Sequence, residues 1–144
     1  LEFQYSPRMP QYFIQKDIVP SYTIGYLLDT IVYPYFNGIK LFKLDLEGLD
    51  VFIIGELIDY YNNNNEEKPC VLFFENQLNK TNTIYKLKTM NYKLLFDYYN
   101  QLRQEQYIYD VIAINCQCKQ EDLLLSHQLL GLEFNSDYFV ILCN

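Results

Sequence analysis

The chain has no tryptophan, one histidine, five glycines and no Cys-x-x-Cys pair. Each shortage removes a class of function. A Ser/His/Asp or Cys/His nucleophilic site would have to be assembled around His127 alone. Ser126 beside it would point to the opposite face of a strand, so a satisfied or solvent-facing histidine is the plainer reading. Phosphate-loop, Walker and zinc-protease motifs are missing. No run reaches the roughly 20 apolar residues that span a bilayer, and residues 1–10 carry no apolar signal region. An intracellular protein without a membrane span is the expectation. Basic residues are scarce as well: 11 against 18 acidic ones, for a net charge of −7. Proteins that hold nucleic acid unaided set Lys and Arg against phosphates, so this chain is a poor lone DNA binder.

What is plentiful is aromatic surface: 15 Tyr and 10 Phe among 144 residues, half of them apolar. That suffices for the core of one domain, and tyrosines suit sheet surfaces and protein interfaces. Cys70, Cys116, Cys118 and Cys143 lack zinc-site spacing. They read as reduced, mostly buried thiols, with Cys116 and Cys118 sharing a strand face. Asp45, Glu47, Asp50, Glu56 and Asp59 flank a strand pattern and read as a solvated edge rather than an acid–base pair. No metal, no cofactor and no enzyme activity are expected.

Along the chain, residues 1–10 form a tail, and 22–36 is open to a short apolar helix broken near Pro34 or, from Ile31, Val32 and Tyr33, to extended structure. The run Val51-Phe52-Ile53-Ile54-Gly55 reads as the heart of a strand over 49–61, with Gly55 as a bulge or barrel corner. A polar loop, 62–69, precedes a strand at Cys70 to Phe74. Residues 83–90 alternate and read as a strand with Lys86 and Lys88 on one face. From Asn91, a plausible N-cap, to Gln106, residues Leu95, Tyr98 or Tyr99, and Leu102 recur at helical spacing. A strand at 109–118 follows; 123–134 is open to strand or helix, and 138–143 to a strand or short packed tail.

Three strands, one helix and two strands are the order of an OB-fold, a five-stranded Greek-key barrel with a helix between strands 3 and 4. The segment GLDVFIIGELIDYYNNNNEEKPCVLFFENQ resembles the opening of OB domains in replication protein A and the telomeric CST complex. The stretch YDVIAINCQCKQEDLLLSHQLLGLEFNSDYFVILCN resembles the end of the smallest CST subunit. The resemblance implies a mainly β domain at 39–144 after a lead-in at 1–38. It also implies a noncatalytic accessory subunit in the nucleus, at the telomere, that binds a larger OB-fold partner and thereby reaches single-stranded DNA indirectly. It departs from the family at Phe74-Glu75-Asn76-Gln77, where the family's turn carries a glycine.

Apolar surface on more than one face of the expected helix, and an apolar 138–142 segment, suggest the partner-binding residues Tyr92, Leu95, Phe96, Tyr99, Leu102, Tyr138 and Phe139. Lys80, Lys86, Lys88 and Lys93, beside Tyr85 and Tyr92, form the one constellation suited to stacking and phosphate contact. Two other classes compete. An acidic inhibitor or immunity-type protein blocking a basic partner fits the composition. An N-acetyltransferase fits the HQLLGLEF segment, but no glycine lies between Ile84 and Leu95 to present backbone N–H groups to a pyrophosphate.

Overall fold

The computed structural model describes residues 18–46, 48–77, 81–96 and 108–144. A short helix α1 (Ile24–Leu27) runs into a π-helical turn at Leu28–Val32. Then come β1 (Leu41–Lys43), α2 (Asp50–Asn63), β2 (Val71–Gln77), α3 (Thr81–Thr89), β3 (Tyr92–Phe96), β4 (Ile108–Asn115), α4 (Gln120–Leu130) and α5 (Asp137–Cys143). The four strands make one open sheet in the order β1-β2-β4-β3. β1 and β2 are parallel, and β4 is antiparallel to both β2 and β3. It follows that β1, β2 and β3 share one direction and β4 is inserted against them.

This is a three-layer α/β arrangement, not a closed mainly-β barrel, and the OB-fold expectation is corrected on that ground. Three local misreadings produced it. The 49–61 strand is helix α2, because Val51, Ile54, Leu57, Ile58 and Tyr61, among its buried residues, recur at helical spacing. The β-branched run at its heart is outweighed by what that face covers, and Gly55 sits within the helix with open space around it rather than in a bulge. The 83–90 strand is helix α3, whose inward residues Thr83, Ile84 and Leu87 follow a helical repeat. Lys86 and Lys88 fall in its last turn, where cations suit the helix dipole. Finally, the expected helix from Asn91 begins instead as β3. Asn91 is a left-handed turn residue (φ 66°) between α3 and β3, not an N-cap. The rest of that expected helix, 97–106, lies outside the described residues.

Strands β2 and β4 overlap the strands expected at 70–74 and 109–118, with β2 running on to Gln77 and β4 ending at Asn115, before the turn that carries Cys116 and Cys118. Val71, Leu72, Phe74, Val111, Ala113 and Ile114 are all at most 1% exposed, as expected of strands covered on both faces. Their side chains alternate between two cores. Leu72, Phe74, Val111 and Ala113 pack with α1, α2 and α3, while Val71, Ile112 and Ile114 pack with Leu123 of α4 and Phe139 of α5. At 123–130 the helical alternative is the one realised, and 138–143 is helix rather than strand.

The cysteines are paired, not free: Cys70 with Cys118, and Cys116 with Cys143. Both bridges converge on the turn after β4, one from the start of β2 and one from α5. The strand-face pairing of Cys116 with Cys118 is thereby replaced by two long-range links. Among the described residues no helix is long and apolar enough to cross a membrane.

Gly131 ends α4 in the left-handed conformation (φ 62°), which side chains with a Cβ resist. Gly131→Ala is expected to cost about 1 kcal/mol and lower Tm by a few degrees, since the added methyl meets nothing within 4 Å. Gly55→Ala, equally unobstructed but helical, is expected to raise stability by roughly 0.5–1 kcal/mol in the same thermal melt.

Candidate functional site

A sheet with three strands in one direction has two unlike ends. At the amino ends of β2 and β3 lies a knot of phenols. Tyr60 donates a hydrogen bond to Asp29 Oδ1 (2.7 Å). The Tyr33 and Tyr61 hydroxyls meet at 2.5 Å, and Tyr33 also donates to the Glu67 carbonyl at 3.2 Å. Tyr92 donates to the Pro69 carbonyl at 2.7 Å. Lys68 Nζ lies 5.7 Å from the centre of the Tyr92 ring and donates to the Met90 carbonyl at 2.6 Å. Burial pushes the phenols of Tyr33, Tyr60, Tyr61 and Tyr92 above their ordinary value, and the Asp29 carboxylate adds to this at Tyr60. Burial pulls the Lys68 ammonium down. Phenols this reluctant to ionise, tied to backbone carbonyls and to one another, cement the fold.

The opposite end is organised by Asp50, whose side chain is wholly buried in the first turn of α2. Its Oδ1 accepts from the Leu46 N–H (2.8 Å) and its Oδ2 from the Glu75 N–H (3.0 Å). One carboxylate thus ties the loop leaving β1 to the carboxyl-terminal half of β2. A buried carboxylate is retained when such charge-assisted bonds compensate its desolvation. Around it the loop presents the exposed Asp45 and Leu46, and Gly48 takes a positive φ of 108° that lets the chain turn into α2.

β1 pairs with β2 alone among the described strands. The Lys40 carbonyl accepts from Val71 N–H and the Leu44 N–H donates to the Phe73 carbonyl. By the two-residue strand period, the backbone groups of Leu41 and Lys43 point the other way, out of the sheet. The carboxyl end of β1, with Asp45 just beyond it, therefore lies at an open edge.

The residues singled out by sequence scatter over this frame. Tyr92 is 4% exposed and belongs to the phenol knot; Phe139 is at 0% and fills the second core. Leu95 is half-buried on β3 and Phe96 ends that strand. Tyr138 is exposed on α5, with its ring edge-on to Phe134. Tyr99, Leu102 and Lys80 lie outside the described residues. No single partner-binding helix face gathers the set. Of the basic group, Tyr85, Lys86 and Lys88 are on α3 and Lys93 on β3. Lys86 stands 4.0 Å from Asp59. Lys88 and Lys93 do come together, with Asn91, Tyr92 and Leu94, around an open cleft of about 420 Å3.

His127 Nε2 is 2.6 Å from the Phe134 carbonyl, with its ring between Phe134 and Phe139, so it is a satisfied packing residue. Ser126 shares helix α4 with it and donates to the Asp122 carbonyl. Asp59 is exposed and Glu56 half-exposed on α2, while Glu47 lies outside the described residues. Asp50 was missed as an anchor because an acid among turn residues gives no sign that its two partners will be backbone amides. Among the described residues no group of His, Cys, Asp and Glu could hold a metal ion. No family model matches the chain, and neither a curated protein nor a solved structure does.

Two measurements follow from the unlike ends. Asp50→Ala is expected to cost about 3 kcal/mol, because it removes the buried carboxylate that accepts from both the Leu46 and the Glu75 N–H; urea unfolding reads this. The raised phenols keep their protons in the folded state where the unfolded chain loses them. Their contribution is complete below the ordinary value of 10.0 and falls away as pH rises through the folded values. Lys68 runs the other way, since raising pH relieves the cost of its buried charge. Absorbance at the tyrosinate band should therefore show at least these four phenols titrating only together with loss of the far-UV signal. Smooth titration of all 15 tyrosines near pH 10 in the folded protein would contradict it.

Proposed function

We propose that this chain is one half of a doubly wound α/β ligand-binding domain and contributes the carboxyl ends of β1 and β2 to a cofactor site. The observation that carries this is the open edge of β1 combined with the placement of the helices. α1, α2 and α3, which precede or join the parallel strands, all pack on one face of the sheet. In a doubly wound sheet, strands wound the other way continue from such an edge with their helices on the opposite face. Ligands then bind outside the carboxyl ends at the point of reversal. Here that point is the outer edge of β1, and the loop that Asp50 pins lies there.

The inserted β4 narrows the ligand class. Doubly wound sheets that bind dinucleotides for hydride transfer keep their last strands parallel. A reversed strand between the last two parallel ones is the far half of the sheet used by S-adenosylmethionine-dependent methyltransferases. This is a likeness of fold, and the site has to carry the function. An exposed carboxylate just past β1, Asp45, is suited to accept from the hydroxyls or ammonium of an adenosyl cofactor or its acceptor substrate. The glycine-rich turn that such a cofactor also needs would come from the strands pairing along β1.

On this reading the chain still works through a protein partner surface, but that surface is a strand edge rather than a helix over 91–106. The larger OB-fold partner, the indirect link to single-stranded telomeric DNA and the nuclear site were inferred from a barrel that is not the fold. They are not carried further. Paired cysteines suit an oxidising compartment better than a reducing one.

The test is calorimetric titration of S-adenosylmethionine into the native polypeptide or assembly that contains this chain, purified from its own cells under non-reducing conditions. Asp45→Asn is expected to weaken binding about tenfold, roughly 1.4 kcal/mol, with Tm unchanged. Lys43→Pro removes an outward N–H and the Lys43 ammonium that lies 5.6 Å over the Phe73 ring, and should leave this sheet folded while abolishing binding. No cofactor binding by the native assembly sinks the proposal.

A further inference from the structure

The two disulfides are not equivalent, and the difference lies in what each one holds. Cys70 is 1% exposed and its partner Cys118 partly exposed, and their bridge links the start of β2 to the turn after β4. Cys116 and Cys143 are both half-exposed, and their bridge ties α5 to that same turn. Thiol–disulfide exchange needs access for the attacking thiolate; the second bridge offers two partly exposed cysteines where the first offers only Cys118, which favours attack on the second.

α5 depends on that bridge more than a longer helix would. It has seven residues, with the Asn135 side chain and not Ser136 accepting its first N–H, and is well below the roughly 12–15 residues at which an isolated helix becomes even marginal. Only Phe139 is wholly buried, while Tyr138 and Ile141 are exposed. Phe139 contacts the His127 ring and sits in the second core with Val71, Ile112 and Ile114. Upstream, the left-handed Gly131 separates α5 from α4, so α5 can leave without dragging α4 along. β2 and β4 remain held by their own ladder, by the first core and by the Cys70–Cys118 bridge.

We propose that Cys116–Cys143 is a thiol-sensitive latch: its reduction by a dithiol frees α5 and uncovers an apolar patch on the second face of the sheet, while the remainder of the domain stays folded. The exchange balances simply. One thiolate of the dithiol attacks a bridge sulfur and forms a mixed disulfide, releasing the other cysteine as a thiolate. The second thiol of the reagent then closes the reagent's own disulfide. Two electrons pass to the protein, which ends with thiols at 116 and 143, and the dithiol leaves oxidised. The uncovered patch would centre on Val71, Ile112 and Ile114. This does not depend on the cofactor reading above.

The experiment is a dithiothreitol titration of the oxidised protein at neutral pH, quenched with iodoacetamide and read by peptide mass spectrometry alongside amide hydrogen exchange. Alkylation is expected at Cys116 and Cys143 at reductant concentrations that leave Cys70–Cys118 intact. Amides of 137–143 should then exchange at least tenfold faster, while those of 111–114 keep their protection. A Cys116→Ser/Cys143→Ser double variant should show the same exchange pattern without reductant and bind more of an apolar fluorescent dye. Simultaneous reduction of both bridges, unchanged protection at 137–143 once the bridge is open, or a double variant that does not fold would each overturn the latch.

Discussion

β4 is the strand on which the remainder of the sheet depends. It runs against its neighbours, pairs with β2 over seven residues and with β3 over five, and Val111 to Ile114 are at most 5% exposed. Alternate residues of it feed both cores: Val111 and Ala113 face α1 to α3, Ile112 and Ile114 face α4 and α5. β2 and β3 are not hydrogen-bonded to each other, so without β4 the β2–α3–β3 unit would have no sheet to close. Both disulfides fasten the turn that ends this strand, which extends its grip to the start of β2 and to α5.

That central position also explains how the two ends of the sheet come to differ. At the amino ends of β2 and β3, large phenols fill the space under α2 and α3, and their hydroxyls consume one another and nearby carbonyls. Those hydroxyls are spent on the fold, and the polar groups beside them are the Lys88, Asn91 and Lys93 that line the open cleft at the start of β3. At the carboxyl ends of β1 and β2, the polar groups are smaller and one buried carboxylate organises the loop backbone. Rigid backbone beside an exposed acid is what a binding site requires, and a fully satisfied aromatic knot is what a fold requires.

How much of this was legible in the sequence depended on which signal each segment carried. β2 and β4 could be read from short apolar runs bounded by polar turns, because strands covered on both faces need no alternation. α2 and α3 could not be read so simply. Val51-Phe52-Ile53-Ile54 has the composition of a strand, and Thr83 to Thr89 alternates like one. In each case burial of a helical face decided the outcome, and a local propensity of a few tenths of a kcal/mol per residue could not resist it. Asn91 was read as a helix start when it is a left-handed turn, a conformation asparagine adopts as readily as it caps helices. The cysteine pairing was out of reach, since four cysteines allow three connectivities and spacing does not choose among them. Of the site, Asp45 and Asp50 were noticed only as members of an acidic stretch; the sequence could not show that one is exposed at a strand end and the other sealed beneath it.

The Cys70–Cys118 link closes a covalent ring around β2, α3, β3 and β4. Any single break in the backbone between those cysteines converts the ring into two arms joined through sulfur, without releasing a fragment. A protease that clips the β3–β4 connection would leave the mass of the oxidised molecule unchanged but for one water, and the cut would show only on a reducing gel. The second bridge does the same for 117–142, so a single cut anywhere from Cys70 to Cys143 frees no fragment from the oxidised molecule.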